Sequence, residues 1–290
     1  MRKPTILVLT LALGAVAQGC TSNPSPRPMP SPVTAVTPSA NPGAPPETAV
    51  MEAAAQPCQP DLASCPVIGC AQADTPHALA NSLKRHVLQG GTPALLSFDD
   101  LHSLQSEAEQ QVGSAGGELT ADQRGTLAQL AVASGTASEG DLVEVSGFLV
   151  GTPHANTGES VNCSLRGVEN NDFHIPINAQ PQSAFASPQE AEFSSIVVEM
   201  IPQDRPAAWN LDQLKSVRDQ NRRVLVVGQL FYDNLHRANG DPANPQSGQP
   251  RRFALWEIHP VTALLVCGRD DGRCDPATTG DWTPLESLNP

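Results

Sequence analysis

"NLDQLKSV", residues 210–217, decides how the second half of the chain is read. Asn210 is a capping residue type, and Leu211, Leu214 and Val217 recur at helical spacing, so the stretch predicts one amphipathic helix. On both sides of it the pattern is that of strands. "DLVEVSGFLVG" (141–151), "ESVNCSL" (159–165), "DFHIPI" (172–177) and "SIVVEMI" (195–201) precede it; "RRVLVVGQLFYD" (222–233) and "RRFALWEIHPVTALLVC" (251–267) follow. DFHIPI reads either as a strand of its own or as the continuation of the one before. The expected order is three strand regions, one helix, then two long strands divided by the turn-rich "NLHRANGDPANPQSGQP" (234–250).

That order resembles an OB-fold, a small five-stranded barrel with a helix between its third and fourth strands. Gly147 and Gly228 stand inside strands, where barrels bend or bulge. The expected fold class is therefore mainly β: an OB-like antiparallel barrel over residues 136–268, with a β-sandwich as the alternative. The pattern G-x-L-x-Y-D-x-x-H at 228–236, followed by "WEIHP" at 256–260, also resembles uncharacterised bacterial secreted proteins. That likeness brings no function with it.

Ahead of the barrel, residues 58–135 read as a helical, cysteine-bearing segment. "TPHALANSLKRHV", "SFDDLHSLQSEAEQQV" and "TADQRGTLAQLAV" each open on a capping Ser or Thr and place apolar residues three and four apart. His77, His86 and His102 fall in these helices and read as surface or packing residues. Residues 269–290 read as a mostly irregular tail in which Trp282 can dock on the domain.

The first sixty residues are different in kind. "MRKPTILVLTLALGAVAQGC" (1–20) has two basic residues, an apolar stretch and small residues ending in Cys20, the layout of a secretory signal. Its end resembles the bacterial lipoprotein signal, in which the cysteine is lipidated and becomes the new N-terminus; the Leu usual three residues earlier is absent. Ordinary cleavage after "AVA" (15–17) is the competing reading. Residues 21–57 are rich in Pro, Ser and Ala and nearly free of charge, so they predict a disordered, semi-rigid tether. Cysteine arithmetic favours the lipid: of seven cysteines, lipidating Cys20 leaves six candidates for disulfides, Cys58, Cys65, Cys70, Cys163, Cys267 and Cys274. The resemblance implies a chain anchored in the cell envelope, at the outer membrane or cell surface, with the membrane as its partner.

Without Arg2 and Lys3 the balance is 15 Lys and Arg against 30 Asp and Glu, a formal charge of −15. A chain this acidic has no general attraction for nucleic acid, whose affinity comes largely from Lys and Arg displacing counterions. Cation binding is easier to support. Strand alternation puts Asp172 and His174 on one face of DFHIPI, Glu199 on one face of SIVVEMI, and Glu257 and His259 together on WEIHP. Asp233 and His236 stand at the end of another strand as a supporting pair. Carboxylates with imidazoles suit a divalent metal such as zinc, manganese or calcium, and Asp172, His174, Glu199, Glu257 and His259 are the candidate ligands. Their meeting in one sheltered spot inside the barrel is the expectation on which any activity rests. The competing expectation is plain polar alternation on a half-exposed sheet, with Asp172 and His174 facing water and Glu257 and His259 marking where the last strand leaves the core.

Nucleophile elbow, phosphate loop, dinucleotide fingerprint and Cys-x-x-Cys pair are all absent. Cys163 beside His174 has the makings of a nucleophile, but a disulfide is its expected fate. Two functions remain in view: an anchored barrel that binds a small-molecule or protein partner, or a metal-dependent phosphodiesterase or nuclease. For the second, staphylococcal-nuclease-like enzymes build acidic metal sites on a similar barrel, and Arg251 or Arg252 would neutralise a phosphate; that family's own signature is absent here.

Overall fold

The computed structural model describes residues 56–114 and 116–288. The signal-like segment, Cys20 and nearly all of the tether lie outside the described residues. In chain order the elements are α1 (Pro76–Lys84), β1 (Ala94–Leu96), α2 (Phe98–Val112), α3 (Ala121–Gly125), β2 (Leu130–Val132), β3 (Gly135–Ala137), β4 (Leu142–Leu149), β5 (His154–Ala155), β6 (Phe173–Asn178), α4 (Pro188–Phe193), β7 (Ile196–Met200), α5 (Leu211–Asp219), β8 (Arg223–Tyr232), β9 (Trp256–Cys267) and β10 (Trp282–Pro284).

Five of the strands close on themselves. β4 pairs with β8, β8 with β9, β9 with β7, β7 with β6, and β6 returns to β4 through Phe148–Asn178 and Leu149–Ile177. Only β7 and β9 run parallel; the other barrel pairs are antiparallel. Numbering the barrel strands along the chain, the circuit is first, second, third, fifth, fourth, with α5 between third and fourth. The OB-like fold expected from the sequence is therefore the fold of the molecule. Gly147 and Gly228 sit where strands approach most closely. A Cβ on Gly228 would lie 2.3 Å from the Pro260 carbonyl oxygen, at an irregularity in the β8–β9 ladder, and one on Gly147 would lie 2.7 Å from that of Asn178.

The barrel interior is filled by one side of each strand: Val143, Val145 and Leu149 of β4, Phe173, Ile175 and Ile177 of β6, Val198 and Met200 of β7, Val224 and Val226 of β8, Trp256 and Ile258 of β9. As expected, Asn210 caps α5 by accepting from the Gln213 amide, and Leu214 and Val217 are buried. Three disulfides are formed: Cys58–Cys70, Cys65–Cys163 and Cys267–Cys274. Trp282 docks by becoming the first residue of β10, paired antiparallel to the end of β9.

Several local expectations need correction. "ESVNCSL" is no strand: Ser160–Asn162 form a 3-10 turn, and Cys163 and Ser164 both take left-handed backbone (φ 55°), which no strand accepts. In "TADQRGTLAQLAV" only Ala121–Gly125 is helical; Gln129 is left-handed and the chain turns into the β2–β3 hairpin. The last strand begins at Trp256 rather than at Arg251, so Phe253 and Leu255 are not strand neighbours of Glu257. The lead-in is not purely helical either, because β1 lies parallel to β4 and joins the barrel sheet.

Candidate functional site

Alternation on β6, β7 and β9 gives the site its place. Since Phe173, Val198, Trp256 and Ile258 point into the core, His174, Glu199, Glu257 and His259 project from the outer wall. The polar groups therefore meet on the outside of the barrel and not inside it. Register brings them together: His174 is paired across to Glu199, and Glu257 lies opposite both Val197 and Phe231. They are nevertheless sheltered. The end of α1 and the loop before β6 cover this wall, so Asp172, Glu199, Glu257 and His259 are buried and His174 is half-buried; Asp172 does not face water, and Glu257 and His259 do not mark an exit from the core.

At the centre lies His259. Its Nδ1 is 3.1 Å from Glu199 Oε2 and 3.5 Å from Glu257 Oε2, and its Nε2 is 3.4 Å from Asp172 Oδ2. The other Asp172 oxygen accepts from Asn162 Nδ2 at 2.9 Å, and Asn162 is in turn held by Gln203 at 2.8 Å. Glu199 also faces outward, its Oε1 3.2 Å from His174 Nδ1. The opposite nitrogen of His174 meets Glu159 Oε1 at 3.0 Å and Asn156 at 2.8 Å. On the far side, buried Arg252 bonds Glu257 through Nη1 and Asp233 Oδ2 through Nη2 at 2.7 Å, and His236 caps Asp233.

All five candidate ligands thus converge, with Asp233 and His236 beside them. Their partners differ. Glu257 is engaged by Arg252, and His174 bridges two carboxylates, whereas Asp172 Oδ2, Glu199 Oε2 and His259 Nε2 are buried atoms with no hydrogen-bond partner. Asp172, Glu199 and His259 each offer one ligand atom within 4.8 Å of the others. Glu159, His174 and Glu199 form a second such group nearer the solvent.

Charge explains how the acids coexist. Burial opposes the charge on His259, but Glu199, Asp172 and Glu257 outweigh it and push its pKa up to about 10. His174 is likewise raised to about 9 against burial, by Glu199 and Glu159. Burial drives Glu199 up to about 7 in spite of the two imidazoles. Glu159 goes the other way, to about 2, because His174 and Lys84 prevail over its burial. Both histidines therefore hold protons at neutral pH when nothing else balances the carboxylates.

In front of the cluster is a cleft of about 420 Å³, lined among others by Lys84, Glu159, His174, Glu199, Arg251 and Arg252. Sequence reasoning missed Glu159, because it read as the first residue of a strand, and Lys84, because nothing local marks it. Phe231 was missed as well: its ring stands edge-on to His259 at 5.8 Å, with the Lys84 ammonium 5.4 Å from its centre. The fold and the site define an OB barrel with an acidic-imidazole cluster on its outer wall. No family model, no curated protein and no solved structure matches the chain.

Proposed function

We propose that this chain is an envelope-anchored OB-barrel protein whose outer-wall cluster binds a divalent cation through Asp172, Glu199 and His259, and whose adjoining cleft receives a ligand or partner. The observation that carries the reading is that these three buried residues each offer one ligand atom within 4.8 Å of the others, while Asp172 Oδ2, Glu199 Oε2 and His259 Nε2 make no hydrogen bond and meet only through the ion-pair contacts among themselves. Two carboxylates and an imidazole held dry are costly unless something answers their lone pairs. A mixed oxygen and nitrogen set answers to zinc or manganese before the larger, all-oxygen calcium.

Metal-dependent hydrolysis of a phosphodiester by the same cluster is the weaker reading, because the cationic groups it needs are already paired. Arg252 is shared between Glu257 and Asp233, and Arg251 lies 3.3 Å from Glu192. A binding module asks less of them. Anchoring and export rest on the signal-like residues 1–20 and on the three disulfides, which belong to an oxidising compartment. Among the described residues no helix is long and apolar enough to cross a membrane.

Metal content tests the cation site. After equilibration with zinc, manganese or calcium and removal of loosely bound ions, wild type should hold about one ion per chain and Glu199→Gln or His259→Ala should hold none. A metal-free wild type, or variants with undiminished content, would overturn the reading. For the anchor, Cys20→Ser should move the protein from the membrane to the soluble fraction, and unchanged membrane association would refute lipidation.

A further inference from the structure

A second constellation lies under α1, beside the proposed cation site, with Lys84 and Glu159 on the wall between them. His77 on α1, Ser160 in the turn before β6 and Glu118 between α2 and α3 come from three distant parts of the chain. His77 Nε2 is 2.5 Å from Ser160 Oγ, and His77 Nδ1 is 3.5 Å from Glu118 Oε1. Glu118 Oε1 is buried and has no hydrogen-bond partner. All three residues line one cavity of about 290 Å³, together with Asn81, Lys84 and Phe231.

The hydrogen-bond polarity of this trio follows from its neighbours. Asn81 Nδ2 donates to Ser160 Oγ at 3.0 Å, and an amide nitrogen has nothing to accept with. Ser160 Oγ has a second lone pair, but among the described residues His77 Nε2 is the one acceptor within hydrogen-bond reach of its proton, which assigns Nε2 as the unprotonated nitrogen. Nδ1 then carries the ring proton, and it is the nitrogen that faces Glu118. A serine giving its proton to an imidazole whose other nitrogen is turned to a carboxylate is the arrangement that activates a hydroxyl nucleophile.

The serine is also held firmly. Its carbonyl accepts from the Cys70 amide at 2.8 Å, and three residues on Cys163 is bonded to Cys65. At Gly69 a Cβ would lie 2.0 Å from that same carbonyl oxygen, so only glycine lets the Cys58–Cys70 loop close over it. Lys84, on the same cavity wall, makes no ion pair among the described residues; its ammonium rests over Phe231. Arg124, by contrast, is bound to Glu139.

We propose that Ser160, His77 and Glu118 form a nucleophilic site that hydrolyses small carboxylic esters, with Lys84 placed to stabilise the oxyanion. Ser160 Oγ attacks the carbonyl carbon as its proton passes to His77 Nε2. The bond from the carbonyl carbon to the alcohol oxygen then breaks, and His77 returns the proton to the departing alcohol. Water attacks the acyl-serine in the same manner, giving its proton to His77, and the carboxylic acid leaves with Ser160 restored. Glu118 is a positioning residue: it touches the imidazole, not the ester. The cavity admits a short acyl chain, against Ala80, Val161 and Leu235.

The full chain with its disulfides intact is treated with a fluorophosphonate probe, the adduct is mapped by mass spectrometry, and hydrolysis of p-nitrophenyl acetate is followed with a chelator present. The label is expected on Ser160. His77→Ala should slow labelling by about 100-fold or more, the lower range for loss of a general base. Glu118→Gln should lower kcat about tenfold with KM within about twofold, a split that a general loosening of the fold does not produce. Activity that persists in the chelator separates this site from the cation cluster. A folded wild type with no adduct on Ser160, or His77→Ala labelled at the wild-type rate, would overturn the proposal.

Discussion

Replacing Arg252 with Met is the sharpest test of how the outer-wall cluster is held together. The guanidinium is buried (2% exposed), as are its partners Asp233 (2%) and Glu257 (1%). Removing it strands two carboxylates in a dry environment. Breaking one buried pair from one side costs about 3–5 kcal/mol. Two pairs are broken here, but His236 stays on Asp233 and His259 Nδ1 stays 3.5 Å from Glu257, so the loss should be about 4 kcal/mol in all and not twice that. For a domain of this size that corresponds to a fall in Tm of about 8–16 °C. Urea unfolding followed by Trp fluorescence measures it directly, because Trp256 is fully buried at the adjoining core position.

The pH dependence of that loss is fixed in sign. Burial raises the Asp233 carboxyl, but Lys84, His236 and Arg252 outweigh it and hold its pKa well below the usual range. Burial and Asp233 raise Glu257, and Arg252 and His259 bring it below its ordinary value. Groups with depressed folded pKa values stabilise above their unfolded values, about 4 for carboxylates, and lose that contribution as acid protonates the folded state. The gap between wild type and Arg252→Met should therefore be full at neutral pH and shrink below about pH 4. Adding Asp233→Asn and Glu257→Gln should recover much of it. A gap under about 1 kcal/mol at neutral pH, or one that widens on acidification, would refute the reasoning.

Loop length ranks the disulfides. Cys65–Cys163 joins residues 98 apart, so its loss should cost about 4–5 kcal/mol, whereas Cys267–Cys274, seven apart, should cost about 2–3 kcal/mol; paired Cys→Ala variants in urea give the order. Cation affinity should rise with pH, because His259, raised to about 10, must surrender its proton to become a ligand. Calorimetric zinc titrations at neutral and mildly acidic pH should differ by about tenfold per pH unit for each proton displaced, and a flat profile would remove His259 from the ligand set.

Much of the barrel is legible because the residues that build it obey a local rule. Leu211, Leu214 and Val217 mark the helix, alternation marks β6 to β9, and the order of these elements determines which strands can neighbour one another. The same alternation puts Asp172 with His174 and Glu257 with His259, whereas the meeting of His174 with Glu199 is set by the β6–β7 register. Illegible parts depended on distant partners. Glu159 and Ser160 lie in a stretch whose apolar spacing imitates a strand, while Cys65, bonded to Cys163 from almost a hundred residues away, and two left-handed residues impose a turn. His77 reads as a surface or packing residue on its helix, because neither Ser160 nor Glu118 is near it along the chain. The side of the barrel wall was misjudged for a related reason: period two separates two faces but does not say which one turns inward until the larger apolar set has claimed the core.

Barrel closure has a bearing on how the molecule can be dissected. β4 meets β6 through only two residue pairs at its far end, while at its near end Val143 to Val145 are matched by β1 from the lead-in. A fragment starting at residue 136 would thus keep all five barrel strands and still bare one flank of β4, an unpaired hydrogen-bonding edge of the kind that recruits a strand from another copy. Such a fragment should self-associate through that flank, and supplying the 94–96 segment in trans is the means of relieving it.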